Sequence, residues 1–282
     1  MGCVTGYLKL LRAGTLFSPA ADVTAGLCLA GLAWSPAAAL AAVASVCVYA
    51  AGMVLNDHAD RALDAEQRPE RPIPRGDVPA FHALLLGAAL LSTGVLVSSA
   101  APYYAVMAAL VLGYNYLLKA SPLVGALTMG TLRAMNLCAG VVAVTGATPS
   151  RAVLIAAGVY ACYIIAVTLL GILEDQRNAP RRVVVSVQLV PAVCGPLAML
   201  GMPSPWPATI IACGLSAAFL WRMRGVRSWD QAAIRGSMTW LLLGTMLYTG
   251  LLCLAAGRPM EAAVIGAAVL PARWISRRIA MT

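Results

Sequence analysis

Long apolar stretches alternate with short polar ones along almost the whole chain. Runs dominated by Ala, Leu, Val and Gly cover roughly residues 14–34, 36–55, 80–99, 102–118, 122–145, 152–173, 184–203, 206–221 and 237–256. Most approach the ~20 residues that a helix needs to cross a bilayer core. The pattern therefore predicts an all-α fold: a polytopic transmembrane helical bundle of about nine spans around a central cavity. A further apolar stretch at about 259–272 contains Pro271 and reads as too short to cross, either re-entrant or interfacial. No soluble domain interrupts the alternation, so residues 1–282 read as a single integral membrane domain.

Charge orients this layout. With the N-terminus inside, the inner segments hold Lys9 and Arg12, then Arg61, Arg68, Arg71 and Arg75, then Lys119, then Arg177, Arg181 and Arg182, and finally Arg222, Arg224, Arg227 and Arg235. The outer side keeps only Arg151 and Arg258, which is the positive-inside pattern of an inner or plasma membrane protein with those loops cytoplasmic. A net charge of +9 spread over short loops beside spans fits anionic headgroups of the lipid bilayer rather than nucleic acid. The cysteines lie mostly inside apolar segments with no metal-type spacing, so they read as small hydrophobes.

One short region carries most of the acidity. Six of the eleven acidic residues fall between Asp57 and Asp77. Asn56, Asp60 and Asp64 are spaced i, i+4, i+8, which places them on one face along about 12 Å of helix. Oxygen ligands so arranged suit Mg²⁺, which is held by few carboxylates and shares its remaining positions with substrate phosphates. A solvated helix end beyond a span is the plainer reading. Directly afterwards comes Arg68-Pro-Glu-Arg-Pro-Ile-Pro-Arg-Gly76. Its prolines favour a stiff, extended segment, and Arg68, Arg71 and Arg75 supply planar forks for phosphate oxygens. Metal-binding carboxylates beside phosphate-binding arginines describe a diphosphate site at a membrane surface.

Asn56-x3-Asp60-x3-Asp64 followed by that Arg-Pro segment resembles the first signature of the UbiA superfamily of intramembrane prenyltransferases. Met129-Gly-Thr-Leu-Arg-Ala-Met-Asn136 looks similar to its EboC-like branch. The resemblance implies a nine-helix bundle that binds an isoprenyl diphosphate through Mg²⁺ and moves the prenyl group to an aromatic or lipid acceptor. Asn56, Asp60 and Asp64 would form the first metal–diphosphate site, with Asp57 beside them. Tyr114-Asn-Tyr-Leu-Leu-Lys119 resembles the family's tyrosine-to-lysine element, so Lys119 would meet a phosphate or else anchor the interface. The second signature, a D-x3-D pair after the sixth span, is replaced here by Glu174-Asp175-Gln-Arg-Asn178. Glu174 and Asn178 keep the spacing, and Asp175 could replace one ligand.

Arg133 and Asn136 sit at i, i+3 in the middle of a span. An arginine at that depth costs about 2.5–3.5 kcal/mol on insertion scales and needs a partner. It either lines the cavity and holds an anion such as the diphosphate, or forms a structural interhelical pair, for which Asp22 in the first span is available. His58 and His82 read as peripheral. The function expected is Mg²⁺-dependent prenyl transfer, with Asp60, Asp64 and Lys119 at the reacting end. Cyclisation of the donor alone, or a non-catalytic lipid-binding or transport role, are the alternatives.

Overall fold

A computed structural model describes residues 2–174 and 180–279. Twelve α-helices follow one another: α1 (Gly2–Leu10), α2 (Phe17–Leu29), α3 (Pro36–Ala59), α4 (Arg61–Gln67), α5 (Ala80–Val97), α6 (Ala101–Tyr116), α7 (Pro122–Thr145), α8 (Arg151–Glu174), α9 (Arg181–Met199), α10 (Pro205–Arg224), α11 (Gln231–Ala255) and α12 (Pro259–Ile279). Two 3₁₀ turns, Ala13–Thr15 and Leu118–Ala120, complete the described structure, which contains no strand.

Local chemistry sets several boundaries. Ser35 caps α3 by accepting from Ala38 N at 3.2 Å, and Pro36 stands in the first turn, where its missing N–H is harmless. Asp230 caps α11 in the same way, accepting from Ala233 N at 2.8 Å. Gly146, at φ +65°, ends α7 in the left-handed conformation that glycine adopts without strain.

Six of the helices are long and apolar enough to cross a membrane: α3, α5, α7, α8, α9 and α11. The other three expected spans depart from the pattern for separate reasons. The stretch at 14–34 yields only the 13-residue α2, because its first residues form the Ala13–Thr15 turn. α6 has 16 residues. α10 has 20, diluted by Pro205, Trp206, Pro207 and Arg222. The last apolar stretch is longer than its sequence suggested, since α12 continues for 21 residues through Pro271. It packs on α11, on α2 and on the Ala13–Thr15 turn.

α7 occupies the centre, packed against α2, α3, α6 and α8, while α5 lies along the outer side of α3. The α2–α7 contact depends on small residues. A Cβ on Gly26 would run into the Leu137 carbonyl, and one on Gly140 would stand 2.8 Å from Val23 Cγ1. Where lipid provides no hydrophobic drive between helices, close backbone approach of this kind strengthens packing. Between α3, α6 and α7, with Arg12 at one end, lies the internal cavity.

Candidate active site

The acidic motif folds into the last turns of α3 and the start of α4. Asp60 N donates to Asn56 O at 2.9 Å and Asp64 N to Asp60 O at 2.8 Å, so helical pairing carries across the joint. The backbone nevertheless departs from helix at Asp60, with φ −85° and ψ 0°. That break divides the three-residue face. Lys119 Nζ donates to Asn56 Oδ1 at 3.3 Å and to Asp60 Oδ1 at 2.5 Å. Asp64, 2% exposed, turns instead toward Arg71, whose Nη1 donates to its Oδ2 at 2.8 Å and lies 3.4 Å from Asp57 Oδ1. Arg12 Nη2 approaches the same Asp57 oxygen at 3.4 Å. Burial pushes the Asp64 carboxyl above the usual carboxylate range, against the pull of the Arg71 guanidinium.

The Arg-Pro segment is not extended. Arg71 N bonds Arg68 O at 3.0 Å, Arg75 N bonds Arg71 O at 3.0 Å, and Val78 N bonds Pro72 O at 3.1 Å. Proline fixes φ near a value that turns also use, and Gly76 at φ +85° closes the series. The result folds Arg71 back onto Asp57 and Asp64. Arg75 points elsewhere, its Nε 3.5 Å from Asp77 Oδ2. Arg68 is half-buried at the end of α4, where its N–H bonds Asp64 O.

A cavity of about 200 Å³ opens beside this cluster. Arg12, Asn56 and Tyr114 border its outer end. Met53, Met107, Met129 and Leu132 line its middle, and Ser45, Tyr49, Arg133 and Asn136 its inner end. Asn56 and Ser45 are eleven residues apart on α3, so the walls span about 16 Å.

Arg133 combines both expected readings: it lines the cavity and it pairs with Asp22. Its Nη1 lies 3.0 Å from Asp22 Oδ2, and its Nη2 donates to the Tyr160 hydroxyl at 2.7 Å and to Ser18 Oγ. Tyr160 in turn donates to Asp22 Oδ1 at 3.0 Å, and Asn136 Nδ2 donates to Asp22 Oδ2 at 2.9 Å. The guanidinium also faces the rings of Tyr49 and Tyr160, at 5.6 and 5.5 Å. A charge this deep survives only with a counter-ion and hydrogen-bond partners such as these, although Nη1 itself makes no hydrogen bond to the described residues.

The altered second motif meets the structure at one residue. Glu174 ends α8 and accepts from Arg235 Nε of α11 at 2.9 Å. Asp175 and Asn178 lie outside the described residues. His58 pairs with the Tyr116 hydroxyl at 3.0 Å and His82 with that of Tyr7 at 3.3 Å; neither lines the cavity. Sequence reasoning missed Tyr49 and Tyr160 as cavity or ion-pair residues, since an uncharged tyrosine in a span gives no signal, whereas Tyr114 stood out only as the start of the tyrosine-to-lysine element. Arg12 was legible only as one more inner-loop cation.

Among the described residues, no three His, Cys, Asp or Glu side chains gather into a protein-only metal cage. The donor chemistry still fits Mg²⁺. Two hard oxygens, on Asn56 and Asp60, already converge on the Lys119 ammonium, and a magnesium site of few protein ligands leaves room for phosphate oxygens.

Comparison with known proteins bears on the family and the fold. Digeranylgeranylglyceryl phosphate synthase of Natronomonas pharaonis is 30% identical over 264 residues, covering 83% of this chain and 93% of that protein. The Ignicoccus hospitalis protein of the same name is 37% identical over 144 residues, a match spanning 49% of this chain and 47% of that protein. Among solved structures, a UbiA homolog from Archaeoglobus fulgidus bound to DMAPP and Mg²⁺ superposes with a TM-score of 0.66 at 16% identity, over 92% of this chain and 99% of that one. Residues 22–244 match the UbiA prenyltransferase family, and with most of its length so matched the chain belongs to that family.

Proposed function

We propose that this protein is an integral membrane enzyme that transfers an isoprenyl group from its diphosphate to an acceptor, aromatic or lipid, inside the bundle. The observation that carries the proposal is the convergence of Asn56, Asp60 and Lys119 beside a cavity that runs about 16 Å toward the bilayer centre. The diphosphate would lie at the outer end and the prenyl chain along the methionine-lined walls. The names of the relatives and the ligands of the Archaeoglobus homolog support the same reading.

Asn56 and Asp60 would hold Mg²⁺, which when bound supplies positive charge to the leaving diphosphate. Lys119 and Arg12 add fixed cations at the same end, and Arg71 is held nearby by Asp57 and Asp64. The allylic C–O bond breaks with its electron pair leaving on the diphosphate. A new bond forms from the acceptor to the prenyl carbon, and the acceptor gives up a proton. The apolar middle of the cavity excludes water from this step. Arg133, matched by Asp22 at the inner end, lies away from the diphosphate end and is not assigned to it. The positive-inside bias supports a cytoplasmic position for the outer end.

Pyrophosphate release by the purified protein tests the reading, with geranyl diphosphate and Mg²⁺, with and without acceptors. Release that depends on an acceptor is the expected result. Product from the donor alone would identify a cyclase instead, and no release under any condition would leave a lipid-binding role. Labelling of a cysteine at Ala65, an exposed position on α4, by an impermeant reagent from the outer face would refute the orientation.

A further inference from the structure

The inner end of the cavity is crossed by polar contacts that pass from helix to helix. On α3 the Ser45 hydroxyl lies 2.8 Å from that of Tyr104 on α6, which in turn donates to the Ala41 carbonyl at 2.7 Å. The preceding residue of α6, Tyr103, donates to the Met135 carbonyl of α7 at 2.8 Å. From α7, Asn136 donates to the Pro19 carbonyl and to Asp22 on α2, and Arg133 reaches Asp22 and the Tyr160 hydroxyl of α8. Five helices are thus tied together at the level where Ser45, Arg133 and Asn136 line the cavity. The tie is deeply buried, with Asp22, Tyr104 and Tyr160 all 0% exposed.

This belt differs in kind from the walls between it and the mouth. Met53, Met107 and Met129 refit around a guest at little cost, whereas parting the belt strands buried donors and acceptors with no water to replace their partners. From Asn56 to the belt is about 16 Å along α3. An extended prenyl chain advances about 5 Å per isoprene unit, four carbon–carbon bonds of about 1.5 Å laid in a zigzag. Three units therefore span about 15 Å and four about 20 Å. We infer that the belt is the length stop for the prenyl donor, admitting up to three isoprene units and refusing a fourth, with Tyr104, directly behind Ser45, as the residue that sets the limit. Shorter chains end among the methionines, so the belt fixes only the upper bound. The inference rests on the transfer reading above and names the donor class for it. It also sets this chain apart from relatives whose printed name carries geranylgeranyl groups, which have four units.

Ligand-induced shifts of the unfolding midpoint of the full chain in detergent, with Mg²⁺, test it. The probes are dimethylallyl, geranyl, farnesyl and geranylgeranyl diphosphates, of one to four units. Wild type is expected to bind the farnesyl donor about tenfold more tightly than the geranylgeranyl one, the worth of a buried hydrogen bond that must be broken. Micelles take up longer donors more strongly, but equally for every variant, so the change in this ratio between variants carries the test. Tyr104→Leu opens the belt and should bring the ratio close to one. If that variant does not fold, Tyr104→Phe, which keeps the ring and cuts both hydroxyl contacts, should move the ratio the same way by less. Gly52 lies on the lining one turn from Asn56, and a Cβ there meets nothing nearer than Val111 Cγ1 at 3.7 Å. Gly52→Leu should therefore fill the path and weaken farnesyl against dimethylallyl diphosphate by about tenfold or more. Wild-type binding of the geranylgeranyl donor as tight as that of the farnesyl donor would overturn the inference. So would a ratio that no folded Tyr104 variant alters, or a Gly52→Leu chain that binds farnesyl diphosphate as before. Absence of any shift with all four diphosphates would instead count against the transfer reading.

Discussion

Removing either half of the Asp22–Arg133 pair should destabilise the bundle, and removing both should restore most of the loss. The two side chains are 0% and 9% exposed and 3.0 Å apart. Breaking a buried pair of this kind costs about 3–5 kcal/mol, because one ion is left behind without its counter-charge. The two single variants should not cost the same. In Arg133→Met the stranded carboxyl keeps its bonds from Asn136 and Tyr160 and has the option of taking up a proton, so about 3 kcal/mol is expected. In Asp22→Val the stranded guanidinium cannot lose its proton. It retains Tyr160, Ser18 and two ring faces, but the loss should approach about 5 kcal/mol. The double variant removes both ions and should lie within about 1–2 kcal/mol of the wild type. Reversible unfolding in detergent micelles, followed by circular dichroism, measures all four corners of this cycle. Single losses below about 1 kcal/mol, or losses that simply add in the double variant, would show that the contact is no more than incidental packing.

Further outcomes follow from other parts of the structure. Lys119→Met removes an ammonium shared by Asn56 and Asp60 and should weaken geranyl diphosphate binding by about ten- to a hundredfold, the worth of a hydrogen bond to a charged group, as titration with Mg²⁺ present will read. Asp60→Asn should abolish the Mg²⁺ dependence of that binding while the unfolding midpoint stays close to wild type, since the side chain keeps its size and is not deeply buried; unchanged Mg²⁺ dependence would place the ion elsewhere. Gly26→Ala drives a methyl into the Leu137 carbonyl and should cost about 1–3 kcal/mol in the same unfolding assay, whereas Gly158→Ala, with open space around it, should be nearly silent.

How far the sequence reveals this structure depends on the kind of signal each residue sends. Hydropathy identifies α3, α5, α7, α8, α9 and α11 because length and apolarity are the physical requirements for crossing. It overextends α2, where polar backbone groups of a 3₁₀ turn hide behind apolar side chains, and it cuts α12 short at a proline that the helix tolerates. Asp22 and Arg133 are legible as partners because charge at bilayer depth demands one. The spacing of Asn56, Asp60 and Asp64 assumes a continuous helix, and the departure at Asp60 sends Asp64 to Arg71 instead of Lys119. No pattern in the sequence marks that joint. Nor does anything in an apolar run set Tyr160 apart from Tyr163, yet only the former bridges the ion pair.

The methionines along the middle of the cavity have a consequence for how the protein could change over evolutionary time. Met53, Met107 and Met129 belong to the α3, α6 and α7 walls, and their unbranched, polarisable side chains refit around an altered chain at little expense. The α2–α7 contact outside the cavity has no such slack, because Gly26 and Gly140 hold two backbones together with no room for a methyl group. Adaptation to donors of new length or branching is therefore channelled through the methionine-bearing lining of α3, α6 and α7, while the α2–α7 contact persists as an inherited frame on which successive substrates are tried.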